Sequence, residues 1–252
     1  MTRTASRPDP LAALVDREMA LSDSDRALAI RLHDLVRDRV RFGFTTWFDA
    51  ADDRRTWSLG VGHCNPQARL LVGLLQRGGL DACFRPVTID NRVLYGLGPI
   101  PNRLSHVFSE VRLGSDWLRL DSYIADPLLR EAGVHRLVTE GRMYGYGVHR
   151  EAAASWDGRS DCFSQIADPA MILETFEPVD DLVDFYQSAD YRHRVAGVHF
   201  DTLFGVGRPL QRVLDPWINA RIEAMRSAER RRRPGRTGLV PIQKSQGDDA
   251  GL

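Results

Sequence analysis

Apolar positions first recur at helical spacing and then, past residue 80, switch to alternation. Leu28, Ile30, Leu32, Leu35, Val36 and Val40 recur at helical spacing in "DRALAIRLHDLVRDRVRFGF", with arginines and acids between them. That spacing predicts an amphipathic helix capped by Ser22 or Ser24. A shorter helix over 9–20 precedes it, and the polar, proline-bearing residues 1–10 read as a frayed arm. Residues 43–63, with Trp47, Trp57 and a Gly60-Val61-Gly62 turn, read as a loop. A second helix is expected over 66–77, with Asn65 as its cap and Pro66 in its first turn. Leu70, Leu71, Leu74 and Leu75, widened by Ala68 and Val72, make it a buried helix, and Gly78-Gly79 ends it with a left-handed cap.

Residues 81–90, 92–98, 106–113 and 116–124 alternate or are β-rich, and Gly114-Ser115 followed by Asp116 predicts a hairpin between the last two. Helices followed by an antiparallel sheet make the fold class α+β, with helices packed on the sheet. The chain beyond 133 is less periodic. "GRMYGYGVHREAAASWDGRSD" reads as a long loop and 171–195 as broken helices stopped by Pro178. A C-terminal helix is expected over 207–230, kinked near Pro216. The division that follows is an arm (1–21), a core (22–132), a largely helical extension (133–228) and a disordered tail (229–252).

Composition narrows the function classes. The 252 residues suffice for a large core, and 43% hydrophobic with 27% charged residues is ordinary for a globular protein. Net charge is zero, which argues for no nucleic-acid partner. Lys244 is the lone lysine among 34 basic residues, a compositional bias of a GC-rich bacterial genome. Arg230–Arg233 read as a solvated helix end. Cys64, Cys83 and Cys162 are too few for a disulfide framework. The N-terminus has no secretory h-region, and no apolar stretch approaches a membrane span, so the expectation is a cytoplasmic protein with no membrane partner.

The chemistry centres on "GVGHCNPQARLLVGLLQRGGL". Cys64 stands at a helix start, where backbone N–H groups and the helix dipole favour an anion and can lower a thiol pKa into the range of roughly 3.5–7.5. The same N–H groups can hold an oxyanion, and Gly60 and Gly62 leave room for a substrate backbone. His106 opens the strand "HVFSEVRL" and Asp121 closes "WLRLD". Around a turn at 114/115, His106 is eight residues back and Asp121 six forward, so both lie near one open end of the hairpin. A carboxylate there fixes the tautomer of the imidazole. Asp126, before Pro127, is the rival acid and reads as a turn residue. Cys83 reads as core and Cys162 as core or loop; Tyr144–Tyr146 with His149 read as a plain surface loop, with the lining of an acceptor cleft as the alternative. Cys64, His63 and His106 lack metal-ligand spacing, so no metal and no cofactor is expected.

These three motifs, "GHCNPQARLLVGLLQRGGLDACFRPV", "SHVFSEV" and "WLRLD", resemble in order the transglutaminase-like superfamily, a branch of the papain-like thiol enzymes. The resemblance covers about residues 22–126. It implies a papain-like core with Cys64 as nucleophile, His106 as base and Asp121 as orienting acid, and acyl transfer through a Cys64 thioester. The substrate class it implies is a peptide or small-molecule amide or thioester, resolved by water or by an amine acceptor. Trp57, Gly62, His63, Asn65 and Tyr123 become candidates for substrate contact or the oxyanion site. Ser122 and Tyr123 stand where the family often has proline, and 133–252 match nothing in its core. A binding scaffold without activity and an arylamine-type acyltransferase are the alternative readings.

Overall fold

A computed structural model describes residues 9–47, 50–98, 103–188, 191 and 200–233. The expected extreme N-terminal arm (1–8) and most of the expected tail (234–252) lie outside the described residues. Seven helices are described here: α1 (Pro10–Ala20), α2 (Asp25–Arg39), α3 (Asp53–Leu59), α4 (Cys64–Arg77), α5 (Pro127–Glu140), α6 (Leu182–Gln187) and α7 (Phe200–Arg232). The strands are β1 (Arg41–Phe42), β2 (Val61–Gly62), β3 (Ala82–Asp90), β4 (Arg103–Leu113), β5 (Asp116–Leu120), β6 (Tyr144–Gly145), β7 (Val148–His149) and β8 (Ile172–Thr175). The fold is α+β, with helices on a four-stranded sheet of order β5-β4-β3-β8. Every neighbouring pair in that sheet is antiparallel.

Local chemistry explains most element ends. Ser24 caps α2 by accepting from Ala27 N. Leu113 pairs with Asp116 across a two-residue turn in which Gly114 has φ 69°, a conformation that favours glycine. Ala68, Leu71, Leu74 and Leu75 on α4 join Val107, Val111 and Leu120 of the sheet in the main core. Each of these leucines and valines taken fully out of water contributes about 1.5–3 kcal/mol. The other face of the sheet carries a smaller cluster of Val87, Ile89, Phe108, Ile166 and Met171.

Several expectations are corrected. The short helix expected over 9–20 is α1, which also takes up residue 10 of the expected frayed arm and puts Leu11 and Val15 in the core. The loop over 43–63 contains α3, capped by Asp52 accepting from Arg55 N. Residues 92–98 form no strand: the Asp90 carboxylate accepts from Arg92 N and turns the chain into a 3-10 turn, Asn91–Leu94. The region read as broken helices begins with β8, which finds its partner in Val87–Ile89 across a register shift. The C-terminal helix expected over 207–230 spans Phe200–Arg232, so the first residues of the expected tail from 229 are helical and Glu229 is buried. The fold also holds α5, where Asp126 accepts from Leu129 N as the cap and Pro127 opens the first turn.

Helix α7 is fastened to the core by a buried ion pair. Arg226 reaches the Asp126 carboxylate and also donates to Phe42 O at 2.7 Å. Both side chains are at least nine-tenths buried, and Phe42 N donates to the same carboxylate at 3.2 Å. Ile222 and Met225 fill apolar space beside it. Removing one partner of such a pair leaves the other charge without compensation. Arg226→Ala is therefore expected to lower unfolding free energy by about 3–5 kcal/mol, read from urea denaturation. A loss below about 1 kcal/mol would match a solvated surface pair instead.

Candidate functional site

The candidate residues fall in two groups, one at the start of α4 and one at the open end of the β4–β5 hairpin. In the first group, α3 ends at Gly60, whose φ of 61° makes a left-handed cap. Two residues of β2 follow, held against β1 by Arg41 N→Gly60 O at 2.9 Å and Gly43 N→Gly62 O at 3.0 Å. His63 is then the N-cap of α4 and Cys64 its first residue. Helical bonding begins with Gln67 N donating to His63 O at 3.1 Å. The N–H groups of Cys64 and Asn65 therefore have no place in the helix ladder, and Pro66 has none to offer. The sequence had Asn65 as cap; the structure moves the cap to His63. Asn65 is buried, and its Oδ1 accepts from the half-buried Cys64 thiol at 3.5 Å.

The second group is the His106–Asp121 pair. The register Ser109↔Leu120 runs without a bulge to the hairpin turn, so His106 lies diagonal to Asp121 near the open end. His106 Nε2 stands 3.3 Å from Asp121 Oδ2, and both side chains are excluded from solvent. The distance is that of an ion pair, but the alignment does not make a hydrogen bond, and Nε2 has no other partner. The His106 ring packs edge-on against Phe108 at 5.2 Å, on the sheet face of the smaller cluster.

An enclosed carboxylate is costly unless donors replace water. Asp121 Oδ1 accepts from Ser164 N at 2.5 Å and Gln165 N at 3.2 Å, and Oδ2 accepts from Ile166 N at 2.9 Å. The same loop returns the favour to the Asp121 backbone, since Cys162 O accepts from both Asp121 N and Ser122 N. Sequence reasoning missed this cradle, and no side-chain signal marks it, because its donors are backbone N–H groups.

Two buried side chains that the sequence did not single out hold the groups in place. Gln67 Nε2 donates to Gly62 O at 2.7 Å and to Ile124 O at 3.2 Å. One amide thus ties the turn before Cys64 to the chain just after Asp121. His33 on α2 places Nε2 2.7 Å from Ser122 Oγ and Nδ1 2.9 Å from Asp34 Oδ1. A carboxylate only accepts, so Nδ1 carries the proton and Nε2 accepts from the Ser122 hydroxyl.

The remaining candidates divide. Tyr123 is fully buried and its hydroxyl shares a 2.8 Å hydrogen bond with Ser109 Oγ. Burial pushes the Tyr123 phenol up strongly, and the charges of Asp121 and Cys64 add to the rise. Trp57 is half-buried against the main core. Gly62 is packed: an added Cβ would meet Thr56, Gln67 and Pro66 side chains at 3.2–3.3 Å, so its open side faces protein and not a ligand. The ring of His63 stacks on Phe44, 5.3 Å apart and 15° from parallel. Asp126, the rival acid, is committed to the α5 cap and to Arg226. Burial, with Glu110 nearby, pushes the Cys83 thiol up to about 11, and burial raises Cys162 as well. Neither is a nucleophile at neutral pH.

Among the described residues, no group of three His, Cys, Asp or Glu side chains is placed to hold a metal ion, and no helix is long and apolar enough to cross a membrane. A hollow of about 560 Å³ lies along α4 between Arg69, Gln76, Phe84 and Asp181, and none of Cys64, His106 and Asp121 lines it. No family model and no curated protein matches the chain.

Burial pushes His33 below its ordinary value of 6.5. The unfolded chain then binds this proton more readily than the fold does, so the stability from neutral His33 is present above about 6.5 and lost as pH falls below it. Burial lowers His149 in the same direction, so the His33 share is read by difference. Urea midpoints of the native protein are expected to fall between pH 7.5 and 5.5, and the fall to shrink in His33→Gln. Equal slopes in the two proteins would contradict it.

Proposed function

We propose that this protein is a thiol acyltransferase or hydrolase of the transglutaminase-like kind, built on a papain-like core, with Cys64 as nucleophile, His106 as base and Asp121 as orienting acid. The observation that carries the reading is the buried His106–Asp121 pair at 3.3 Å, placed at the end of a hairpin and fed by three backbone donors. A structural histidine does not call for a fully desolvated carboxylate with its own cradle. Asp121 faces Nε2, which leaves Nδ1 as the nitrogen that exchanges a proton with the Cys64 thiol.

In the proposed reaction the Cys64 thiol passes its proton to His106, and sulfur attacks the carbonyl of an amide or thioester. An S–C bond forms, and the C–N or C–S bond breaks as His106 protonates the departing amine or thiol. Water or a primary amine, deprotonated by His106, then attacks the thioester, and the sulfur leaves as Cys64 thiolate. Helix N–H groups at Cys64 and Asn65 are the donors suited to the oxyanion. Free thiols at all three cysteines suit a reducing, cytoplasmic setting.

The test is intact mass after incubation with a panel of acyl thioesters and peptide amides, with and without a primary amine. The expected result is an acyl adduct on Cys64 that the amine clears and that Cys64→Ala never forms. Turnover undiminished in Cys64→Ala, or an adduct that maps to Cys83 or Cys162, would rule the mechanism out.

A further inference from the structure

The C-terminal helix does more than cover the core, because its inward face grips the backbone that leads to Cys64. Asn219, Ile222, Arg226 and Glu229 recur at three- and four-residue spacing, and the last three are buried. Arg226 takes hold of Phe42 O, and two turns earlier Asn219 takes hold of Phe44. The Asn219 amide does so with both of its ends: Phe44 N donates to Oδ1 at 2.9 Å and Nδ2 donates to Phe44 O at 2.7 Å. An amide that both accepts from and donates to one residue's backbone imitates a strand neighbour and fixes that peptide in two directions.

The grip leaves no slack. Between the two anchors, a Cβ added at Gly43 would stand 3.0 Å from Val61 Cγ1 and 3.1 Å from Asn219 Oδ1. Gly43 N in turn donates to Gly62 O, two residues before Cys64. The Phe44 ring lies flat against the His63 ring, and His63 is the cap whose backbone (φ −92°, ψ −168°) launches α4. The His63 side chain makes no capping hydrogen bond; its ring stacks on Phe44, and the β1–β2 ladder holds the backbone just before it.

We propose that Asn219 is a positioning residue for Cys64: by clamping Phe44 it holds the ring on which His63 stacks, and so sets the direction of α4's first N–H groups and of the thiol. The proposal rests on the acyl-transfer reading for its purpose, but its contacts do not depend on it. It gives the chain beyond residue 200, which resembles nothing in the family core, a part in the site. Arg226 is the structural anchor of the same helix; Asn219 is the adjustment next to the chemistry.

The probe is iodoacetamide at pH 7, with the labelling rate of each cysteine in the full chain read by peptide mass, and thermal unfolding recorded alongside. Asn219→Ala is expected to lower the ratio of Cys64 to Cys162 labelling by about tenfold with the melting transition kept. Phe44→Leu leaves the backbone bonds to Asn219 in place and removes the ring; it is expected to give the same loss, while Phe44→Tyr, which keeps the ring, restores the ratio. The double variant Asn219→Ala/Phe44→Leu is expected to lose no more than the larger single loss, the mark of one shared path. If Asn219→Ala unfolds, Phe44→Leu against Phe44→Tyr carries the test by itself. A ratio unchanged in Asn219→Ala or Phe44→Leu, or losses that multiply in the double variant, would overturn the proposal. A wild-type Cys64 no faster than Cys162 would overturn the acyl-transfer reading, a separate outcome.

Discussion

The interaction on which the rest depends is the burial of the Asp121 carboxylate. A negative charge shut away from water must be given donors, and here they come from a loop more than forty residues downstream in the chain. That requirement explains why the chain beyond the hairpin returns to it. Leu120 forms a bridge with Cys162, and residues 164–166 then run across the carboxylate with their N–H groups turned inward. The loop, the end of β5 and the first turns after it are one unit, and His106 faces the charge from β4.

The Cys64 side is built independently of this unit and then tied to it. Hairpin register delivers His106 and Asp121, whereas a cap, a two-residue parallel ladder and a ring stack deliver Cys64. Gln67 joins the sides through Gly62 O and Ile124 O, and α7 holds both ends, with Arg226 at Asp126 and Asn219 at Phe44. Proton transfer between thiol and imidazole is sensitive to displacements well under 1 Å, so a proposed triad split between two elements depends on such ties. Here they come from side chains whose polar atoms serve backbone groups.

The local setting of the candidate residues was legible in the sequence because it rests on chain neighbours. A cysteine before an apolar helix and a Gly-Ser hairpin placed between histidine and aspartate are read from neighbours in the chain, and the register followed from counting. The supporting parts were not legible because their partners are distant. Backbone donors at 164–166 leave no mark in composition, and Asn219 carries no sign that its amide will meet Phe44. Asp126-Pro127 reads as a turn in the sequence, because an Asx-Pro pair suits a turn as well as a helix start; the structure makes it the start of α5. Val93-Leu94-Tyr95 imitated a strand because apolarity alone does not separate a strand from a buried turn, and the Asp90 carboxylate decided it. The short strand at 172–175 has its partner some eighty residues earlier, beyond the reach of any local pattern.

The central claim is that His106 and Asp121 make Cys64 a nucleophile. It is tested most directly by the second-order alkylation rate of Cys64 at neutral pH in the native protein, in His106→Ala and in Asp121→Asn, with Cys83 and Cys162 as internal references. The account predicts a Cys64 rate about a hundredfold above both references in the native protein, falling by about tenfold or more in His106→Ala and in part in Asp121→Asn. A Cys64 rate equal in all three proteins, and no faster than that of Cys83 and Cys162, would contradict it.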